Sequence, residues 1–189
     1  KEYKSFFKTV DGNEGSKCLY NTRLDTFGCG CSHDCSYCYA KSLLNFRGLW
    51  DEKEPSVADI RKIERKISKL PKETIIRLGG MTDCFQPLEE KMRVTKATIE
   101  LLNRYGIGYL IVTKSDLICE YMSILNKDLA HIQVSTTWIP CEKAVSTERR
   151  IKAIEALSDA GFDVAVRLSP YVPQFVDFER LNSIRCKKI

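Results

Sequence analysis

Short apolar strands that alternate with amphipathic helices constrain the fold of this chain more than any other feature. Thr74-Ile-Ile-Arg-Leu78 reads as a strand ending at Gly79-Gly80, and a helical segment follows from about Glu89 to Arg104. Ile107–Thr113 reads as the next strand, Asp116 to Asn126 as a helix and His131–Thr136 as a further strand. Another helix starts at Ser146 or Thr147, carries Ile151, Ile154 and Leu157, and stops at Gly161. Serine or threonine at the start of a helix and glycine just past its end are good capping signals. Phe162–Leu168 is the last clear strand, and upstream Ser56 is expected to cap a helix whose apolar stripe is Val57, Ile60, Ile63, Ile67 and Leu70.

Alternation at this repeat length predicts parallel strands joined by right-handed crossovers. A strand around Leu19 to Phe27 would make five. The expected architecture is therefore α/β, a partial (βα) barrel of parallel strands, formed by residues 1–189 as one domain. The chain begins at Lys1 and ends soon after the fifth strand, so we expect a fragment or trimmed chain in which a sixth strand is missing or poorly formed.

In such sheets the working residues gather in the loops that follow the strands. The chemically rich segments fall there: Gly79-Gly-Met-Thr-Asp83, Thr113-Lys-Ser115, Ser135-Thr-Thr137 and Arg167-Leu-Ser169. A fifth loop, after the first strand, reads Gly30-Cys-Ser-His-Asp-Cys-Ser-Tyr-Cys-Tyr-Ala40. Its cysteines, Cys31, Cys35 and Cys38, have the spacing C-x₃-C-x₂-C. Closed structural metal sites fill all their positions, whereas catalytic ones keep one open. Iron–sulfur clusters are held by cysteine thiolates, usually four. A trio without an obvious fourth partner points to a cluster with one reactive iron; the rival is structural zinc, with Cys29 or His33 as the fourth ligand.

Nine cysteines, an odd number, with three inside eight residues fit metal binding in a reducing compartment better than a disulfide framework. Cys18, Cys29, Cys84, Cys119, Cys141 and Cys186 are scattered, and their spacing offers no second cluster. No apolar run approaches the roughly 20 residues that cross a bilayer, and the N-terminus lacks the apolar core of a signal peptide. The chain therefore reads as cytoplasmic, without a membrane partner. A net charge of +5 permits a nucleic-acid partner without demanding one. The densest cationic stretch, Arg61–Lys69, reads as the solvated face of a helix.

With these residues in view, the chain resembles the radical S-adenosylmethionine (SAM) superfamily. The carriers are the C-x₃-C-x₂-C spacing and the aromatic Tyr37 before its last cysteine. Within the superfamily it is similar to the branch of spore photoproduct lyase and DNA-repair photolyase-like proteins. The carriers there are the cysteine loop through Tyr39-Ala40, Thr82-Asp-x-Phe-Gln-Pro-Leu-Glu89, Val112-Thr-Lys-Ser115 and Arg149 through Pro173. The resemblance implies a 4Fe–4S cluster on Cys31, Cys35 and Cys38. It also implies reductive cleavage of SAM to a 5′-deoxyadenosyl radical, and a one-electron reductant such as a flavodoxin or ferredoxin. The substrate is left open among a nucleic-acid lesion, a peptide and a small metabolite.

The same resemblance places Gly79 and Gly80 where the superfamily has a Gly-Gly-Glu motif that receives the cofactor's amine, with Thr82 and Asp83 as candidates for the acid's role. Lys114 resembles a lysine that holds the cofactor carboxylate, Ser135 matches a ribose-binding position, and Arg167 is assigned to the cofactor or its surroundings. Tyr37 is expected to pack beside the cluster and cofactor. Tyr39 and Cys84 are the candidate catalytic hydrogen donors, because Gly80 stands where the lyase carries its hydrogen-donating cysteine. Two other readings remain at this point: a zinc-stabilised nucleic-acid-binding module, and a non-catalytic relative that binds the cofactor.

Overall fold

The computed structural model describes residues 7–10, 18, 20–51, 53–139 and 143–186. Leu19 and Cys141, both named in the expectations above, lie outside them. Eight strands are described: β1 (Phe7–Thr9), β2 (Thr22–Leu24), β3 (Phe27–Gly28), β4 (Ser56–Val57), β5 (Ile75–Leu78), β6 (Gly108–Thr113), β7 (Ala130–Ser135) and β8 (Asp163–Arg167). The main sheet has the order β1-β2-β5-β6-β7-β8. Pairings from β2 through β8 are all parallel, and β1 adds antiparallel to β2 at one edge. The five expected parallel strands are present. The sheet is open, a partial barrel with β8 at its other edge.

Side chains alternate across a strand, so each strand presents one set of residues to each face. Leu24, Ile76, Leu78, Ile111, Ile132, Val134, Val164 and Val166 are buried and join one continuous core. The helices that cover this face contribute their apolar stripes to it. They are α2 (Ile60–Ile67) through Ile63 and Ile67, α4 (Val94–Tyr105) through Ile99 and Leu102, and α5 (Thr147–Asp159) through Ile151, Ile154 and Leu157. The alternating positions Arg23, Arg77, Val112, Gln133 and Arg167 are only half-buried and belong to the opposite, concave face.

Three expected elements differ. Ser56 does not cap a helix: with Val57 it forms β4, which pairs antiparallel with β3. Asp59 caps α2 instead, its carboxylate accepting from the Arg61 amide at 2.8 Å. The helix expected from Glu89 to Arg104 is two, α3 (Leu88–Met92) and α4, broken at Arg93, which adopts the left-handed conformation at φ 53°. Glu89 explains the break. Its buried carboxylate accepts from the amides of Thr95 at 2.9 Å and Lys96 at 2.9 Å, so the first helix supplies the cap of the second. The segment after Ser115 winds as a 3₁₀ helix only over Asp116–Tyr121. The helix from Thr147 and its Ser146 cap are as expected.

Candidate functional site

Five loops reach the top of the sheet; named hydrogen bonds tie those after β3, β5 and β6 to one another and those after β7 and β8 to each other. The cysteine loop leaves β3 and ends at α1 (Tyr39–Phe46), whose N-cap is Cys38; its sulfur accepts from the Lys41 amide at 3.4 Å. Two tight turns build the loop, closed by the Asp34 amide on the Cys31 carbonyl and the Cys38 amide on the Cys35 carbonyl.

The loop after β5 is gripped from two sides. Asp25, just past β2, accepts from the amides of Met81 at 2.8 Å and Thr82 at 3.4 Å. Thr82 donates its hydroxyl to the Phe27 carbonyl at 2.6 Å. From the other side the loop reaches the cysteines. Gln86, fully buried, accepts through its amide oxygen from the Ser32 amide at 3.1 Å. Tyr39 donates its hydroxyl to the Gly80 carbonyl at 2.5 Å.

Asp83 is the central tie. One carboxylate oxygen accepts from the Phe85 amide at 2.9 Å and the Thr113 hydroxyl at 2.7 Å; the other accepts from the Lys114 amide at 2.7 Å. His33 Nε2 lies 3.3 Å from that second oxygen, within ion-pair range but off the alignment of a hydrogen bond. Burial pushes the Asp83 carboxyl up, yet His33 and the Lys114 and Phe85 amides outweigh it and hold the group at about 2. The carboxylate therefore stays ionised and spans three loops.

A cavity of about 260 Å³ opens between these loops. Cys31, Cys35 and Cys38 line it, as do Tyr37, Tyr39, Gly79, Gly80, Thr82, Asp83, Lys114, Ser135 and Arg167. Every residue assigned above to the cluster, the cofactor or hydrogen transfer, but one, is thus brought to a single space. Lys114 sets its ammonium 5.7 Å from the centroid of the Tyr37 ring, a cation–π distance. Ser135 donates to the Ser169 carbonyl at 3.2 Å, and Arg167 donates to the Gln133 amide oxygen at 2.9 Å. The exception is Cys84, which is 1 % exposed, joins the hydrophobic core and does not line the cavity. Burial, with the nearby charges of Asp83 and Glu89, pushes its thiol well up.

Sequence reasoning did not single out Asp25, Gln86, Arg77 or Gln133. Gln86 sits inside the quoted Thr82–Glu89 motif, and that is the signal by which it could have been found. Asp25 had one as well, an acid at the C-terminal end of the first parallel strand.

The donor set suits an iron–sulfur cluster better than a single ion. Tetrahedral zinc draws its sulfurs in to about 2.3 Å from one centre. A cluster gives each cysteine a different iron and leaves the sulfurs apart. Neither proposed fourth zinc ligand reaches for the trio: Cys29 does not line the cavity, and His33 faces Asp83. Three thiols on one loop, all lining one cavity, fit a cluster with one iron left free.

A family model described as the Radical SAM superfamily matches residues 26–185. The chain is 25% identical over 164 residues to an uncharacterised protein of Methanocaldococcus jannaschii, covering 79% of this chain and 60% of that one. It is 28% identical over 174 residues to an uncharacterised protein of Mycobacterium tuberculosis, covering 78% and 49%. The chain thus spans about half to three fifths of the length of these curated relatives. Among solved structures, a spore photoproduct lyase variant with bound AdoMet and dinucleoside spore photoproduct superposes with a TM-score of 0.69 at 15% identity, covering 89% of this chain and 50% of that one. The lyase complexed with dinucleoside spore photoproduct gives 0.66 at 14% identity, covering 91% and 51%. At such identities the likeness is one of fold.

Proposed function

The chain belongs to the radical SAM superfamily, and from that premise we propose that it cleaves SAM reductively to drive hydrogen abstraction from a substrate held in the same cavity. The observation that carries this is the convergence of Cys31, Cys35 and Cys38 with Gly79–Asp83, Lys114 and Ser135 on one space. With a 4Fe–4S cluster on the three cysteines and SAM beside it, the pair supplies a 5′-deoxyadenosyl radical. The electron comes from a small redox protein such as a flavodoxin or ferredoxin.

The protein's own tasks are binding, orientation and exclusion of water. Lys114 offers a compact ammonium with three donors for the cofactor's carboxylate, steadied by the Tyr37 face. Thr82 has already committed its hydroxyl proton to Phe27, so its oxygen is left to accept from the cofactor's amine. Asp83 has both oxygens occupied by protein donors. It supports that seat by holding Lys114 and His33 in place, without meeting the amine itself. Ser135 stands at the end of β7 for the ribose, and Arg167 lies beyond it on β8.

Tyr39 is the group we place closest to hydrogen transfer, because its hydroxyl is at the cavity lip on the Gly80 carbonyl. Gly80 stands where the lyase has its donor cysteine, and Cys84 lies in the core; a transfer through Tyr39 is the route the geometry supports best. The lyase structures hold a dinucleoside spore photoproduct. By that likeness a nucleic-acid lesion is the substrate class to test first.

The test is anaerobic reconstitution followed by electron-spin resonance of the reduced protein, with and without SAM. A reduced 4Fe–4S signal that changes on adding SAM, and formation of 5′-deoxyadenosine, are expected. Protein that stays colourless and yields no 5′-deoxyadenosine would falsify the proposal.

A further inference from the structure

Resting on that reading and deepening it, we propose that Arg77 and Arg167 form an oxyanion subsite for a phosphate-type group carried by the substrate. Strand alternation puts both on the concave face, and both line the cavity. They stand on different strands, β5 and β8, of one curved open sheet, and Arg167 also meets Gln133 of β7.

Neither has the partner that a half-buried guanidinium needs. Arg77 Nε is buried with no hydrogen-bond partner among the described residues. Arg167 donates to the neutral Gln133 amide oxygen at 2.9 Å, and no carboxylate pairs with either cation among the described residues. The carboxylate that shares the cavity, Asp83, is spent on Thr113, Phe85, Lys114 and His33. Burial, and then repulsion by the charge of Arg77, lower the pKa of Arg167, and both cations line the one cavity. An arginine does not escape such repulsion by losing its proton. An anion between the two forks removes it.

The number of donors selects the anion. One guanidinium fork saturates one carboxylate by a bidentate pair of bonds. Two forks with no anionic partner match a group with three free oxygens and a charge of about one to two, which is a phosphate. The cofactor's carboxylate is the competing source of negative charge in this cavity, and Lys114 is already placed for it.

The chain, anaerobically reconstituted, would be titrated calorimetrically with inorganic phosphate, alone and at saturating SAM. We expect phosphate to bind in both conditions. Its affinity should fall at least tenfold in Arg77→Gln and in Arg167→Gln, and less than twofold in the exposed control Lys69→Gln. Arg77→Lys, which keeps the charge and loses the fork, should fall between; it also guards against a Gln variant that unfolds, which circular dichroism would reveal. Displacement of phosphate by SAM would overturn the proposal, because the pair would then serve the cofactor. Unchanged phosphate affinity in folded Arg77→Gln and Arg167→Gln would overturn it too. Phosphate binding that depends on both arginines, in a protein that neither binds SAM nor makes 5′-deoxyadenosine, would keep the anion site and remove the radical reading instead.

Discussion

Gly30 has no room for a side chain. A Cβ there would stand 2.0 Å from the Asp51 carbonyl oxygen, a backbone atom that the Cys29 carbonyl anchors through the Asp51 amide. Gly79 is constrained differently: its φ is +82°, and a Cβ would meet the Val112 and Thr82 carbonyl oxygens at 3.0 and 3.1 Å. At Gly80 the nearest atom is the Arg23 Cδ at 3.0 Å, part of a side chain that can yield. Alanine should therefore destabilise in the order Gly30, Gly79, Gly80. The expected costs are about 3 kcal/mol or more, about 1–3 kcal/mol, and under about 1 kcal/mol, read from denaturant midpoints. Gly30→Ala should also lower iron bound per chain, since it displaces the start of the cysteine loop. An equal cost at all three positions would contradict the close approach at Gly30.

Tyr39 gives a contrasting outcome at the same scale. Its side chain is 62 % exposed and its hydroxyl makes one bond, so Tyr39→Phe should change stability by less than about 0.5 kcal/mol. If Tyr39 carries hydrogen, the ratio of substrate product to 5′-deoxyadenosine should drop several-fold once a substrate is in hand. An unchanged ratio would leave the tyrosine as a lip of the cavity only.

At the scale of elements, the joint between α3 and α4 is held by one side chain. Glu89 is fully buried and accepts from two amides of α4 and from the Tyr121 hydroxyl at 2.9 Å. Glu89→Ala would strand two buried donors, the Thr95 amide and the Tyr121 hydroxyl, each costing about 1–3 kcal/mol, and a third, the Lys96 amide, that is only partly buried. We expect a loss of about 3 kcal/mol or more in equilibrium unfolding, whereas Glu90→Ala, on the exposed side of the same short helix, should cost less than about 0.5 kcal/mol. Such joints were not legible in the sequence. The strands were, because period-two apolar runs ending in glycine or serine are local signals, and the loops that follow them were legible for the same reason. Arg93 breaks its helix through a carboxylate four positions earlier that skips ahead to cap residues 95 and 96, which no periodicity records. Asp25 and Gln86 escaped notice because their partners lie 56 and 54 residues away. The antiparallel pairing of β3 with β4 took Ser56 out of a helix whose stripe continued correctly at Ile63 and Ile67.

The whole molecule divides its labour between the two faces of one sheet. Helices and apolar strand positions close the core on one face, and the cysteines, Lys114, Arg77 and Arg167 occupy the other, where five loops meet. No helix among the described residues is long and apolar enough to cross a membrane. This division predicts that folding survives loss of the metal ligands. Cys31 and Cys35 are each 8 % exposed but neither belongs to the continuous core, so their truncation removes contacts at its border. A variant with Cys31, Cys35 and Cys38 all changed to Ala should cost about 3 kcal/mol at most, which in a chain of this size lowers the melting midpoint by roughly 6–12 °C. It should keep a cooperative transition and native circular dichroism while binding no iron. A zinc-dependent fold behaves differently, because its metal-binding energy is its folding energy. Collapse of the triple variant to an unfolded chain would therefore make the cysteines structural. A folded, iron-free variant that makes no 5′-deoxyadenosine would place them where the geometry does, in the chemistry and not in the core.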